Sequence, residues 1–349
     1  MFTDDVARHD IELVVSGTVG AWVFPKAWYG DGRFRRLKLV AGLALGALKR
    51  LWQALILPYR YDAVVVLRTA FAFTGPPWFE KLLRRRANFM IFELDDSLWV
   101  EHENGAPPFW TEQRPIYAAT ASDRVIAGSS YLADWASQYC ADVRIVPTTA
   151  ADDITPRQGA RAPGPVRIGW YGNWLGSRYC EPIMPALVET AGECDIEFRL
   201  LTHGPYERVL DIPEGLPFGR TVWEAETESR DLEYFDVGLM PLKDDETSRG
   251  KCGAKILHYM AAGLPVVASP VGVNSDIVVH GETGFLADSH NEWVEALTLF
   301  STDADLRERM GKAGLARYEN KYAPSVVAEE YAAAITPPAE IGRRRFPRS

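Results

Sequence analysis

The sequence predicts an α/β protein of two domains, each built on a parallel sheet, and three observations carry that expectation. Short β-branched runs alternate with helical patterns over most of the 349 residues, the pattern of strands joined by crossover helices. A breaker-rich stretch divides the runs into two series, and the length is that of about two domains at roughly 150 residues each. Composition agrees. Hydrophobic residues at 47% and charged ones at 24% lie near a soluble globular average, which excludes disordered and fibrous classes.

Taken in chain order, the opening MFTDDVARHD is polar and lacks glycine. The first strands are expected at Ile11–Gly17, Ala63–Arg68, Phe89–Leu94, Arg124–Ser129 and Val143–Pro147, within a domain spanning 1–154. The run Thr155–Pro165 is dense in proline and glycine and reads as a linker. A second series follows at Val166–Gly172, Ile196–Leu201, Arg220–Glu224, Val237–Leu242, Pro265–Ser269 and Gly284–Ala287, within a domain spanning 166–320. The chain then turns helical through 321–337, where Pro337 and Pro338 end the last helix. The tail 338–349 is basic, and its composition predicts disorder. No internal repeat is visible beyond the likeness of the two halves.

Charge is unevenly spread. The formal net charge of −9 disfavours generic nucleic-acid binding. Yet Lys26–Arg60 holds Lys26, Arg33, Arg35, Arg36, Lys38, Lys49, Arg50 and Arg60 against Asp31 alone. That segment is +7, so with −9 overall the remainder is −16. Inside it, Leu39–Leu48 is an uncharged apolar run, too short for a bilayer core that needs about 20 residues. It also starts too far from Met1 to be a secretory signal. Two readings stand: an amphipathic crossover helix packed on a sheet, or a helix lying on an anionic membrane surface. Cys140, Cys180, Cys194 and Cys252 form no C-x-x-C pair. Their scatter argues against a disulfide scaffold or cysteine zinc site and favours a reducing compartment, so the expected location is cytoplasmic, peripheral on the inner membrane face if the second reading holds. Eleven tryptophans either line a site for flat ligands or fill the cores.

In open parallel sheets, ligands sit beyond the carboxyl ends of strands, where loops enter helices. The strongest such place is SRGKCGAKILHYMAAGLPVVAS, Ser248–Ser269. Gly250 and Gly253 permit close backbone approach, a helix is expected from about Gly253, and Lys251 and Lys255 add positive charge suited to phosphate. Asp245 and Cys252 occupy the glycine and Ser/Thr positions of a Walker A loop, so it is not one. The alternative is an ordinary glycine-rich turn with solvated lysines.

That block and its continuation, FDVGLMPL…GKCGAKILHYMAAGLPVVASPVGVNSDIVVHGETGFLA, resemble the donor-binding half of family-4 glycosyltransferases. IGWYGNW looks like the opening strand and loop of their nucleotide-sugar domain, while YDAVVVLRTA, FMIFELDDSLW and SDRVIAGSSYLADWA resemble a subset with a D-x-D-D element. The resemblance covers roughly residues 60–335. It implies the GT-B fold: two Rossmann-like domains facing across a cleft, with a C-terminal helix returning to the N-terminal domain. It also implies transfer of a sugar from a nucleotide-sugar to a glycan, glycolipid or other acceptor, with retention at the anomeric carbon and neither cofactor nor required metal. By position, Lys251 and the Gly253–Ala254–Lys255 backbone would face the diphosphate, His203 and Gly204 the base, and Gly172 and Asn173 the diphosphate or sugar, with Arg178 as an added cation.

Two departures bear on activity. Many family members carry E-x7-E across this turn and helix; here those positions are Gly250 and His258. His258 can still hydrogen-bond ribose, whereas Gly250 offers no side chain to a sugar. Family members also open with a strand and a glycine-rich loop, which nothing before Ile11 resembles, so the first strand is expected to be missing. These departures support a second reading: a catalytically weakened binding or scaffold subunit of a glycan-assembly complex. A nucleotide-sugar epimerase is a third, but its histidine and carboxylates cannot be located.

Asp95 and Asp96, after the strand Phe89–Leu94, are the candidate catalytic residues. Two adjacent carboxylates there can bind sugar hydroxyls or take a proton from an acceptor. Alternatively they cap a following helix. A metal-binding D-x-D is opposed by Glu93 in the first position, and the same residue argues against a haloacid-dehalogenase-type nucleophile.

Overall fold

The structure is a computed structural model. It describes residues 3–9, 11–15, 35–56, 60–69, 77–100, 111–150, 154–156, 164–204, 206–222 and 231–341. In the N-terminal part the apolar runs become β1 (Val64–Leu67), β2 (Met90–Leu94), β3 (Arg124–Ala127) and β4 (Val143–Ile145), close to the expected bounds. Among the described residues they form a parallel sheet in the order β1-β2-β3-β4, with Val65 opposite Ile91 and Phe92 opposite Val125. The helices are α1 (Thr3–Ala7), α2 (Arg35–Ile56), α3 (Trp78–Arg86), α4 (Gln113–Ala121) and α5 (Ser130–Ala136). Strand β2 is apolar at nearly every position because helices cover both faces of a parallel sheet.

The strand expected at Ile11–Gly17 is not formed over 11–15, and residues 16–17 lie outside the described ones. Val14 and Val15 are exposed. A β-rich run makes a strand only where a ladder receives its amides, and in the described sheet β1 is an edge that pairs with β2 alone. Helix α2 is longer than the apolar run that predicted it, extending from Arg35 through Ile56. The expected linker lies mostly outside the described residues, as does the tail from 342 onward.

The second series yields β5 (Val166–Asn173), β6 (Ile196–His203), β7 (Phe218–Val222), β8 (Val237–Met240), β9 (Val266–Ala268) and β10 (Gly284–Leu286). All pairings are parallel, in the order β10-β9-β8-β5-β6-β7. Counted from β5, this is the doubly wound 3-2-1-4-5-6 arrangement, whose order reverses between its first and fourth strands. Here that reversal falls between β5 and β8.

Side chains alternate accordingly. Ile168 and Trp170 enter one core with Phe198, Leu200, Leu187, Leu297 and Phe300. Tyr171 enters the opposite core with Leu201, Phe235, Ile256, Leu257 and Met260. Helices α6 (Met184–Glu193) and α10 (His290–Thr302) supply the first face and α8 (Ala254–Ala261) the second, while α11 (Ala304–Lys321) gives Leu306 and Met310 to the first core and Tyr318 to the second. The short helices α7 (Glu246–Arg249) and α9 (Asn274–Ile277) follow β8 and β9.

The chain divides into two compact units, Pro147–Ala328 and Thr3–Val146, the latter joined by everything from Glu329 onward. Helix α12 (Pro324–Ile335) therefore starts in one unit and ends in the other. Its end is tied to the first sheet at two points. Tyr331 donates to Oε2 of Glu93, at the end of β2, at 2.8 Å. Arg124, buried at the start of β3, donates to the carbonyls of Ala334 and Thr336 at 2.7 and 3.1 Å, satisfying acceptors a helix C-terminus leaves open.

Candidate functional site

The donor-side candidates all lie in the Pro147–Ala328 unit, around the point where the strand order reverses. Gly253 precedes α8 with φ +70°, and a Cβ there would lie 2.3 Å from Cδ1 of Ile277. Both the left-handed backbone and the tight approach require glycine. Its turn starts α8 at Ala254, so the first amides of the helix point outward and Lys255 and His258 share a face three residues apart.

That face meets β5. Gly172, with φ +151°, lies beneath the Lys255 chain: a Cβ there would fall 3.0 Å from Lys255 Cε and 2.8 Å from the Trp170 ring. The Lys255 ammonium sits 5.3 Å from the Trp170 ring centre and 5.8 Å from that of Tyr171. His258 places Nδ1 2.7 Å from the Tyr171 hydroxyl, with the two rings stacked. Strand β5 thus holds both polar side chains of the α8 face.

A second cationic group forms beside it. The 3-10 helix Trp174–Ile183 carries Arg178, Tyr179 and Cys180. The Arg178 guanidinium and the Lys251 ammonium both lie against the Tyr179 ring, 5.6 and 5.4 Å from its centre. Cys180 is fully buried, which pushes its thiol well above the ordinary range, and the nearby Lys255 charge opposes that rise. Lys251, Lys255 and Arg178 are therefore gathered about one stretch of chain. Like charges repel, and the aromatic faces they lie against offset that repulsion in part.

The remaining candidates are placed less directly. Asn173 caps the 3-10 helix, its side-chain oxygen accepting from the Gly176 amide at 2.8 Å, so that oxygen is committed to the turn. His203 ends β6 opposite Asn173 in the register. Gly204 packs under Trp174, and its carbonyl accepts from Arg220 at 2.9 Å.

Asp95 and Asp96 belong to the other unit, just past β2. Both oxygens of Asp95 are held by Arg68, Nε to Oδ1 at 2.6 Å and Nη2 to Oδ2 at 2.9 Å. Arg68 follows β1 and is the one non-glycine residue with positive φ, +59°, among the described residues. Oδ1 of Asp96 accepts from the Ser97 amide at 3.0 Å. No helix follows within 95–100, so neither aspartate caps a helix there. Glu93, largely buried beside them, has its carboxyl pushed up by desolvation, with the Tyr331 hydrogen bond opposing and the Asp95 charge adding to the rise. The segment is fastened further along, where Trp99 stacks on Trp135 of α5 at 4.2 Å and 2°.

Tyr171, Tyr179, Arg68 and Tyr331 escaped the sequence reading. Tyr171 looks like any apolar residue of a buried strand, and Tyr179 like part of a helix entry. Only Arg68, directly after a β-branched run, had a positional signal, since residues ending parallel strands face ligands.

A two-unit protein with a doubly wound sheet and a cationic group at its order reversal belongs to a recognisable architecture. Sucrose-phosphate synthase from Thermosynechococcus elongatus is similar in structure at TM-score 0.64 and 17% identity, over 95% of this chain and 90% of that one. Anabaena HepE, crystallised with UDP-glucose, is similar at TM-score 0.57 and 15% identity, over 92% and 96% of the two chains. The fold is GT-B. Residues 243–317, which contain the Lys251–His258 block, match the family described as Glycosyl transferases group 1. D-inositol 3-phosphate glycosyltransferase from Pseudarthrobacter chlorophenolicus is 35% identical over 105 residues, 29% of this chain and 24% of that enzyme. The matched stretch thus spans about a quarter of that relative's length.

Proposed function

We propose that this protein is a glycosyltransferase that moves a sugar from a nucleotide-sugar donor to a glycan or lipid-linked acceptor, with retention of anomeric configuration. The observation that carries the reading is the gathering of Lys251, Arg178 and Lys255 around the start of α8 and the end of β5. A departing nucleoside diphosphate gains negative charge as the glycosidic bond breaks. Fixed cations and helix-start amides stabilise that charge more in the transition state than in the ground state, which is what lowers a barrier. In this reading the lysines and Arg178 do the work a divalent cation does elsewhere. The match over 243–317 and the glycosyltransferase relative support the donor class, and the HepE complex is with a nucleotide-sugar.

His258, backed by Tyr171, is assigned to the ribose, and His203 with Gly204 to the base. Asp95 and Asp96 are assigned to acceptor or sugar hydroxyls, with Arg68 fixing Asp95. Retention rests on the resemblance of the Lys251–His258 block to retaining enzymes. The test is a panel of nucleotide-sugars, scored for nucleoside diphosphate release with and without acceptor and for thermal shift by the free diphosphates. Release from one donor supports the reading, and no binding or release with any of them sinks it.

A further inference from the structure

Helix α2 faces the wrong way for a helix in water. Its 22 residues, about 33 Å at 1.5 Å per residue, pack against α3. The side turned inward holds Gly46, Gln53 and Ala54, with Arg50 donating to Gln53 at 2.9 Å. The side turned outward holds Leu45 at 58% exposure, Leu48 at 62%, Leu51 at 43% and Trp52 at 54%. Leu45, Leu48 and Trp52 fall at i, i+3 and i+7, so they form one stripe. A crossover helix serving only to cover a sheet would bury those leucines and expose Gln53. Contiguous exposed apolar side chains of this kind mark a docking surface.

We infer that α2 docks the protein on an anionic lipid surface, lying in the plane of the headgroups with Leu45, Leu48, Leu51 and Trp52 inserted. Three observations select this occupant. Lys26–Arg60 carries +7 within a chain of −9, and Lys49 is exposed beside the stripe, so an acidic surface attracts this segment and repels the rest of the chain. A second copy would bring two segments of +7 close together across a symmetric interface, which like-charge repulsion opposes. No described helix is long and apolar enough to cross a membrane, so the helix lies on the surface and does not span it. Trp52 fits the interface, where an aromatic ring with a polar edge is most stable.

The experiment is co-sedimentation of the full chain with two kinds of vesicle, phosphatidylcholine alone and equal parts phosphatidylcholine and phosphatidylglycerol. The bound fraction is expected to rise about tenfold or more with the anionic lipid and to fall again at high salt. Leu48→Glu with Trp52→Glu places charge on an exposed stripe, so the thermal midpoint should hold while binding drops by about tenfold. Should that pair disturb folding, Leu48→Gln gives a milder version of the same loss. Equal sedimentation with both vesicle types, or undiminished binding of a folded variant, overturns the inference. So does a wild-type dimer in lipid-free sedimentation equilibrium that the substitutions dissolve, because the stripe would then be an interface between copies. The readout involves no sugar transfer, so it stands apart from the donor-site reading.

Discussion

The hydroxyl of Tyr171 lies 2.7 Å from Nδ1 of His258, and the two rings stack with centroids 5.6 Å apart. The direction of this bond follows the histidine tautomer: with the ring proton on Nε2, the Tyr171 hydroxyl donates to Nδ1. The pair joins β5 to α8 across 87 positions of sequence. It fixes the orientation of the one histidine on the helix that also carries Lys255. Tyr171→Phe keeps the ring under Lys255 and removes only the hydrogen bond, worth about 0.5–1.5 kcal/mol. Binding of UDP or GDP, whichever the wild type takes, should weaken about three- to tenfold by titration calorimetry, and an unchanged affinity would refute the positioning role.

The Lys251–Tyr179–Arg178 group predicts a charge-specific defect. Lys251→Ala and Arg178→Ala should each weaken nucleoside diphosphate binding by about ten- to a hundredfold, the loss of a charged hydrogen bond of about 1.5–3 kcal/mol. The uncharged nucleoside should be affected little, and the diphosphate affinity of the wild type should fall with salt. Comparing the diphosphate with its nucleoside on each variant separates this from a general loss of folding. Equal losses for both ligands would place these cations outside the phosphate site.

Gly253 and Gly281 form an internal control for the turn into α8. Both have positive φ, +70° and +80°, but a Cβ at 253 meets Ile277 at 2.3 Å while one at 281 meets nothing within 4 Å. Alanine at either position pays about 1–2 kcal/mol of left-handed strain. Gly253→Ala adds overpacking of about 1–3 kcal/mol. Urea unfolding should show Gly253→Ala less stable than Gly281→Ala by at least about 1 kcal/mol. Equal stabilities would mean that Ile277 moves aside at little cost.

The local features were legible in sequence and the distant ones were not. Strand positions followed from β-branched runs because those runs are buried between helix layers, and the start of α8 followed from its glycine and the apolar period after it. Ile11–Val15 has the same β-rich composition as β1, but propensity carries no information on whether a partner strand exists. Gly250 and His258 could be singled out by spacing, yet the contact that gives His258 its direction comes from Tyr171, whose alternation on β5 reads as core. Arg68 and Asp95 are 27 residues apart and meet only because β1 and β2 run side by side, with Leu67 opposite Glu93. The outward stripe of α2 shows the same limit. Its period was visible, and which face would be buried was not.

The contact between Glu93 and Tyr331 predicts a pH dependence. Burial pushes the Glu93 carboxyl above its ordinary range, the Tyr331 hydroxyl at 2.8 Å pulls it partly back, and the Asp95 charge pushes it up again. Tyr331 is itself driven upward by burial and by Glu93, so it stays protonated and donating. A carboxyl whose folded pKa exceeds its unfolded one holds its proton more tightly when folded. Its contribution to stability is full below the unfolded pKa near 4.5 and is lost as pH rises through the folded pKa. Glu93→Gln mimics the protonated form and still accepts from Tyr331. Its thermal midpoint should therefore match wild type at about pH 4 and exceed it at neutral pH. Tyr331→Phe removes the one partner that favours the ionised carboxylate, so it should lower the midpoint most at neutral pH. Asp95→Asn, by removing a neighbouring negative charge, should narrow the gap between wild type and Glu93→Gln. A gap that stays constant from acid to neutral pH would show that Glu93 does not titrate in this range and that the tie to α12 is indifferent to its charge.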